Sequence, residues 1–406
     1  MNLQRLLPIF LVVLVDVFGL TLVIPLLGIY AERFHATPMQ ATLLVSVFAV
    51  CQLVAGPLLG RASDRAGRKP ILIVSQIGTF AGFIVLAGAQ SLWMIFLSRV
   101  IDGITAGNLT IAQAYISDHT KPENRSRAFA VIGVAFGLGF FIGPFLTGSL
   151  VRFGFTAPIW LAAAMSFTSI MATTFLLPGG KPPQAEGAEA GPGGKRLALF
   201  EWGAYGTYFT RPVLGGLLVQ FFFYAFAFSF FTSGFALYAE RVFSWHGKPF
   251  GVREIGFLFA YVGFLGIVLQ GGLVARLVFR FGEPRLITTG FIALAIGYIG
   301  LSFTNRVAFL VALSTFSAYG TALLRPLLSS LVSQKAERHE QGVVLGLVQS
   351  MNSVAQIVAP SISGFVIEHR WLHEWTWLPA VSAMVGLVAT RWGSGRVEVT
   401  PRTKPS

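Results

Sequence analysis

The sequence predicts an all-α membrane protein of twelve transmembrane helices, arranged as two pseudo-symmetric six-helix bundles. Three observations carry this. Hydrophobic residues make up 54% of the chain and charged residues only 12%, about half the charge of a soluble domain. The apolar residues fall in runs of the length that crosses a bilayer, roughly 20 residues. The positive charges alternate from loop to loop as they do in a multi-pass protein.

The runs come as six, a break and six more. The first six are Leu6 to Tyr30, Met39 to Leu59, Ile71 to Ala89, Ser91 to Ile116, Arg127 to Val151 and Pro158 to Leu177. The second six are Val213 to Tyr238, Ile255 to Phe279, Leu286 to Phe303, Val307 to Val332, Gln341 to Ile367 and Trp375 to Thr390. The first run contains Asp16 and no small-residue cleavage pattern follows it, so it reads as a span and not a signal peptide. The single cysteine, Cys51, lies inside a run, which leaves no intrachain disulfide.

With the N-terminus inside, 21 of the 30 lysines and arginines fall in inner loops and termini and 7 in outer loops, while Arg99 and Arg325 lie within spans. This inside excess puts both termini in the cytoplasm and requires an even number of spans. The net charge of +13 is therefore a signature of topology, and no nucleic-acid partner is expected.

Residues 178–196 are rich in proline and glycine and read as a linker. Residues 197–210 are aromatic and amphipathic and read as a short interfacial helix. The expected organisation is an N-terminal bundle (1–177), a cytoplasmic linker with that helix (178–212), a C-terminal bundle (213–393) and a cytoplasmic tail (394–406). Two landmarks argue that the bundles are repeats. Gly67, in the loop after span two, recurs as Gly282 after span eight, 215 positions later. Pro144 in span five recurs as Pro360 in span eleven, 216 positions later.

The strongest local pattern is GRASDRAGRK, from Gly60 through Asp64, Arg65, Gly67 and Arg68 to Lys69, in the short inner loop between spans two and three. Glycine allows a tight turn. Asp64 could face the positive N-terminus of a neighbouring helix, and the arginines could pair with acids or carbonyls at other helix ends. In span five, Gly139, Gly143, Pro144 and Gly148 combine close helix approach with a bend.

Charges inside spans are costly, about 2.5–3.5 kcal/mol on insertion scales, and face a cavity, a partner or a function. Asp16 lies 11 residues beyond Arg5, roughly 16 Å into the membrane, and Asp102 lies at similar depth. Desolvation disfavours the charged form of a carboxyl group, so either aspartate could load and release a proton, with Arg99 one turn from Asp102. A static ion pair that fixes helix packing is the alternative for both aspartates.

Span eleven presents Gln349, Asn352, Ser353 and Gln356 on one face, and Asn108, Gln113, Gln220 and Gln270 are polar residues in other spans. They suit a cavity for a substrate with several polar atoms, or hydrogen bonds between helices. Span seven is crowded with aromatic residues on every face; Tyr224 is taken from it as a cavity residue. Arg325 could snorkel to the inner face or bind an anionic substrate group. The six histidines lie in loops or at span ends, and His369 and His373 stand beside Trp371, Trp375 and Trp377, which suggest an interfacial aromatic belt. No metal site is expected.

These motifs bring in a family. GRASDRAGRK is similar to the loop signature of the major facilitator superfamily. LSRVIDGITAG (97–107) resembles its span-four motif, with Arg99 and Gly103. The pattern from Gly139 through Gly143, Pro144, Thr147 and Gly148 resembles the span-five motif of drug/proton antiporters. LVDVFGLTLVIPLL (14–27) resembles the first span of the tetracycline-exporter group.

The resemblance implies the major facilitator fold, antiport and a span-five helix at the contact between halves, while the buried charges themselves suggest proton coupling through Asp16, Arg99 and Asp102. Two departures stand out. Gly82 and Gly266 occupy positions where the exporters carry an acid and a histidine, while Asp102 and Arg325 are additional charges. The expectation is a monomeric secondary transporter in a bacterial inner membrane. It would export small amphipathic or drug-like molecules against protons, with membrane lipids around it, the proton gradient as energy source and no cofactor. A lipid, lysolipid or organic-anion translocator on the same fold is the alternative. An embedded enzyme would need a nucleophile–base set or a metal cluster, and the sequence offers neither.

Overall fold

The computed structural model describes residues 3–119, 125–177, 202–336 and 340–394. The proline- and glycine-rich linker and the tail beyond residue 394 lie outside the described residues. So do several of the inner basic residues, among them Lys121, Lys195, Arg196 and Arg338.

The first half comprises α1 (Leu3–Glu32), α2 (Pro38–Ala66), α3 (Arg68–Ala87), α4 (Leu92–Ile104), α5 (Asn108–His119), α6 (Arg125–Leu150) and α7 (Ala157–Leu176). The short helix α8 (Trp202–Thr210) leads into the second half. That half comprises α9 (Pro212–Val242), a hairpin of β1 (Ser244–Trp245) and β2 (Lys248–Pro249), and α10 (Val252–Val268). It continues with α11 (Val274–Phe281), α12 (Glu283–Gly300), α13 (Val307–Lys335), α14 (Gln341–Glu368) and α15 (Leu372–Ser394). Eleven described helical segments are long and apolar enough to cross a membrane. A further long helix, α15, packs on α9 and α12.

Local chemistry sets several boundaries. Helix α2 starts with a capping box in which Thr37 and Gln40 satisfy each other's backbone N–H, with Pro38 opening the helix. Gly67 ends α2 and begins α3 at φ 99°, ψ 152°; Gly282 ends α11 and begins α12 at φ 79°, ψ 154°. Side chains are essentially excluded from that backbone region, so the two halves turn the same corner with the same residue. The repeat read from the 215-residue offset is thus present in the backbone.

Two spans differ from the uninterrupted runs expected. Span four breaks at Thr105–Gly107 into α4 and α5. Ser75 of α3 heals the break, donating to the Thr105 carbonyl and accepting from the Gly107 N–H at 3.0 Å. Span eight passes through a π-helical turn, Leu269–Leu273, where Gly272 sits at φ 158°. Glycine is the residue that permits that angle.

Helix α1 packs on α6 and α7, α3 on α4 and α7, and α2 on α4. In the second half, α9 packs on α13, α14 and α15, and α12 on α13 and α15. The halves meet along two helix pairs, α6 with α10 and α2 with α14. Where α1 ends, one hydrophobic core runs through both halves, joining Leu22, Leu26 and Leu44 to Phe235, Leu237 and Trp375. An Arg241–Glu32 ion pair at 2.5 Å and a Glu368 carboxylate accepting from the Met39 N–H at 3.1 Å bind the halves there. At the opposite end each half keeps its own core, one around Val13, Leu72 and Ile111 and the other around Leu218, Leu324 and Leu328. We call these the closed end and the split end.

The aromatic belt needs one correction. Trp371 and Trp377 are exposed, but Trp375 is fully buried, stacked on Tyr238 at 4.5 Å with its indole N–H on Ser363. It is a core residue because its polar edge finds a partner inside.

Candidate functional site

The charged residues predicted within the first half converge. Asp16, midway along α1, accepts a hydrogen bond from Ser169 of α7 at 3.2 Å. Arg99 and Asp102 lie one turn apart on α4, 4% and 5% exposed, with Nη1 to Oδ2 at 3.4 Å. Asp102 faces both Asp16 and Thr79 of α3. The break in span four matters here. Asn108 opens α5, and its side chain faces Asp16, so the positive end of a helix dipole is directed into the cluster. Asp16 Oδ2, Arg99 Nη2 and Asn108 Oδ1 are buried without a protein hydrogen-bond partner.

A Cβ on Gly82 would lie 3.1 Å from the Asp102 Cβ. The missing acid in span three and the added acid in span four are therefore neighbours. The small residue on α3 leaves room for the carboxylate on α4.

The polar residues offered as cavity lining separate into groups. Arg325 of α13 is exposed, and its guanidinium lies 5.9 Å from the Phe136 ring of α6, across the division between the halves. Gln113, Gln270 and Gln349 are exposed, and Asn352 and Gln356 are half-buried on α14. Two residues lie inside the second half. Gln220 is 4% exposed and donates to the Ala389 carbonyl of α15 at 3.3 Å, so its amide serves helix packing. Tyr224 is buried in the second half's own core, stacked on Phe228.

The GRASDRAGRK loop is an ion-pair node. Arg68 contacts Asp64 at 2.5 Å, Asp118 at the end of α5 at 2.8 Å and the Ser63 hydroxyl at 2.7 Å. Asp64, in the last turns of α2, thus pairs with Arg68, the first residue of α3. Arg65 is exposed and Gly60 approaches Thr110 of α5.

The span-five motif forms a two-sided contact. Gly139 and Gly143 accept Val17 and Thr21 of α1 against the α6 backbone, and the Thr21 hydroxyl donates to the Gly139 carbonyl at 2.9 Å. The Thr147 hydroxyl donates to the Leu22 carbonyl at 2.6 Å. On the other side, a Cβ on Gly256 of α10 would lie 2.7 Å from both the Pro144 carbonyl and the Gly148 nitrogen. One helix therefore joins α1 of its own half to α10 of the other.

A family model described as Major Facilitator Superfamily matches residues 9–305 and 254–405. The chain belongs to the Major Facilitator Superfamily. Among its relatives, the class B tetracycline resistance protein of Escherichia coli is 26% identical over 378 residues, 90% of each chain. Major facilitator superfamily domain-containing protein 10 of Bos taurus is 30% identical over 83% of this chain and 75% of its own. The crystal structure of the human organic anion transporter MFSD10 superimposes with a TM-score of 0.70 at 23% identity, covering 96% of this chain and 99% of that one. A peptide transporter in complex with sulfate gives a TM-score of 0.76 at 16% identity, over 96% and 94%.

As a Major Facilitator Superfamily protein the chain is a multi-pass membrane transporter of small molecules and not an enzyme. Sequence reasoning missed Ser169 and Thr79 as companions of the buried aspartates. A stripe of hydroxyl residues in span six, Ser166, Ser169 and Thr173, was the available signal for the first.

Proposed function

We propose that this transporter exports small amphipathic compounds in exchange for protons, acting as a monomer in a bacterial inner membrane with both termini in the cytoplasm. The observation that carries the reading is the cluster inside the first bundle, where Asp16 rests on Ser169 beside the Arg99–Asp102 pair. An ionisable group in that setting has a large energetic difference between its two protonation states, so binding of a substrate nearby changes which state is preferred. One proton moving down the membrane potential supplies about 2.3 kcal/mol per 100 mV. The split end faces the cytoplasm in this reading and receives substrate between the bundles. The curated relatives named for tetracycline and multidrug resistance support efflux as the direction.

The test is proton release from purified protein as amphipathic dyes and antibiotics are added, wild type against Asp16→Asn. Release in the wild type that vanishes in the variant is expected. Dye binding with no proton release in the wild type would overturn exchange.

Arg325 favours a second reading in which the cargo is an organic anion. Its exposed guanidinium faces the other bundle, and a solved neighbour carries the description organic anion transporter. Arg325→Gln is then expected to lose transport of carboxyfluorescein while keeping transport of a neutral dye. Equal loss of both would argue against charge recognition.

A further inference from the structure

Helix α7 carries two kinds of hydroxyl. Thr168 and Thr174 donate to the carbonyls four residues back, at 2.9 Å and 2.7 Å, the ordinary resting place of a hydroxyl in an apolar helix. Ser166 and Thr173 do not. Their oxygens are buried and have no protein partner. Ser169, between them on the same face, has turned away from its own helix to donate to Asp16. Gln76 of α3 completes the row. It is fully buried, its Nε2 donates to Ser169 at 2.8 Å, and its Oε1 has no protein partner.

Gln76 of α3 and Ser169 of α7 meet across the α3–α7 contact, Ser166 and Thr173 share the Ser169 face of α7, and three of these four keep unspent hydrogen-bonding capacity away from solvent. Buried polar atoms in that state cost free energy unless something small and polar meets them. Water fits, since it both donates and accepts and needs two to four polar partners.

We propose that the α3–α7 contact holds a file of bound water, and that this file is the proton's route between Asp16 and the split end, separate from the gap that takes the substrate. This rests on the reading of Asp16 as the proton carrier. Ser166 lies on the closed-end side of Ser169, while from Ser169 on Asp16 the row continues to Thr173, four residues or about 6 Å along the helix toward the split end. One residue further, Lys69 Nζ donates to the Thr174 carbonyl at 2.7 Å, tying α3 to the last turn of α7. The route passes through water and the Ser169 hydroxyl, whose proton moves onto Asp16 as a water proton replaces it. Gln76 positions Ser169 and carries no proton. Substrate would then enter between the bundles while the proton leaves within the first bundle, so a bound substrate would not seal the aspartate from the aqueous phase.

The experiment follows the infrared carbonyl band of protonated Asp16 in the full-length purified protein after a rapid pH jump, with Asp16→Asn assigning the band. Thr173→Val, nearly isosteric, interrupts the file while leaving Ser169 on Asp16, and Ser166→Ala, on the closed-end side of Ser169, is the control off the route. The expected result is an unchanged final band amplitude in both variants, reached at least tenfold more slowly in Thr173→Val and at the wild-type rate in Ser166→Ala. Gln76→Leu is expected to slow it as well. A normal rate in Thr173→Val, with a normal Asp16 band, would overturn the water route and leave Asp16 as carrier. A protonated Asp16 band absent from the wild type at every pH would instead overturn the carrier role, and with it this route.

Discussion

Replacing Gly256 by alanine is the sharpest probe of what holds the closed end shut. The added Cβ would sit 2.7 Å from the Pro144 carbonyl oxygen and 2.9 Å from the Gly148 Cα. Ordinary contact begins near 3.4 Å, so α10 must withdraw from α6 by about 0.7 Å. Both neighbours are backbone, so no flexible side chain can yield in their place. Overpacking of this kind costs about 1–3 kcal/mol. If the contact exists only while the closed end is shut, the penalty falls on that state alone and moves the equilibrium toward opening by roughly 5- to 150-fold. The assay is cross-linking of cysteines placed at Glu32 and Arg241, which form the ion pair across the closed end, with Cys51 replaced by serine. Gly256→Ala should slow linkage by a short bis-methanethiosulfonate reagent by up to that factor, the full factor appearing where the open state already predominates. Gly266→Ala, on the same helix with open space around it, should leave it unchanged. Equal rates in wild type and Gly256→Ala would refute the idea that this glycine contact sets the closed state.

Two further outcomes concern stability. Arg99→Met alone strands the Asp102 carboxylate in the interior and should cost about 3–5 kcal/mol, whereas Arg99→Met with Asp102→Leu should recover most of the loss. Thermal melting of the three proteins in one detergent checks this, and equal melting of the single and double variants would deny the pairing. Gly67→Ala and Gly282→Ala should each destabilise by about 1–3 kcal/mol, because both sit where side chains are excluded. Gly133→Ala, with nothing within 4 Å, should melt like wild type.

The membrane class, the repeat and the meeting of Asp16 with Arg99 and Asp102 were legible in the sequence for simple reasons. Apolar run length maps directly onto span length. Glycine and proline mark backbone geometry that no other residue reproduces. An ionised group in a span has few places to go. What stayed hidden depended on the other side of each contact. The break in span four is sealed by Ser75, thirty residues upstream of Thr105, so its apolar run looks continuous. Gln220 and Gln349 are the same residue type in similar surroundings of sequence, yet one meets the Ala389 carbonyl and the other remains exposed. Trp375 looked like its neighbours Trp371 and Trp377 until Tyr238 took one face and Ser363 its indole N–H. The vacancy at Gly82 and the gain at Asp102 read as two unrelated departures, and only the packing of α3 on α4 makes them one.

The contact of α6 with α10 is built from main-chain atoms. Gly256 lies against Gly148 and Pro144, and Gly263 against the Phe140 carbonyl. A junction of that kind has almost no rotamers to freeze. Side chains such as Met, Gln or Lys forfeit up to about 2 kcal/mol each when immobilised, and glycine forfeits none. Parting and rejoining along this seam therefore exchanges little conformational entropy. The two end states of the transporter are free to lie close in free energy, and the differential affinity of one small ligand is then enough to choose between them. Bulkier, interlocking residues would make a sturdier seam, and a far less responsive one.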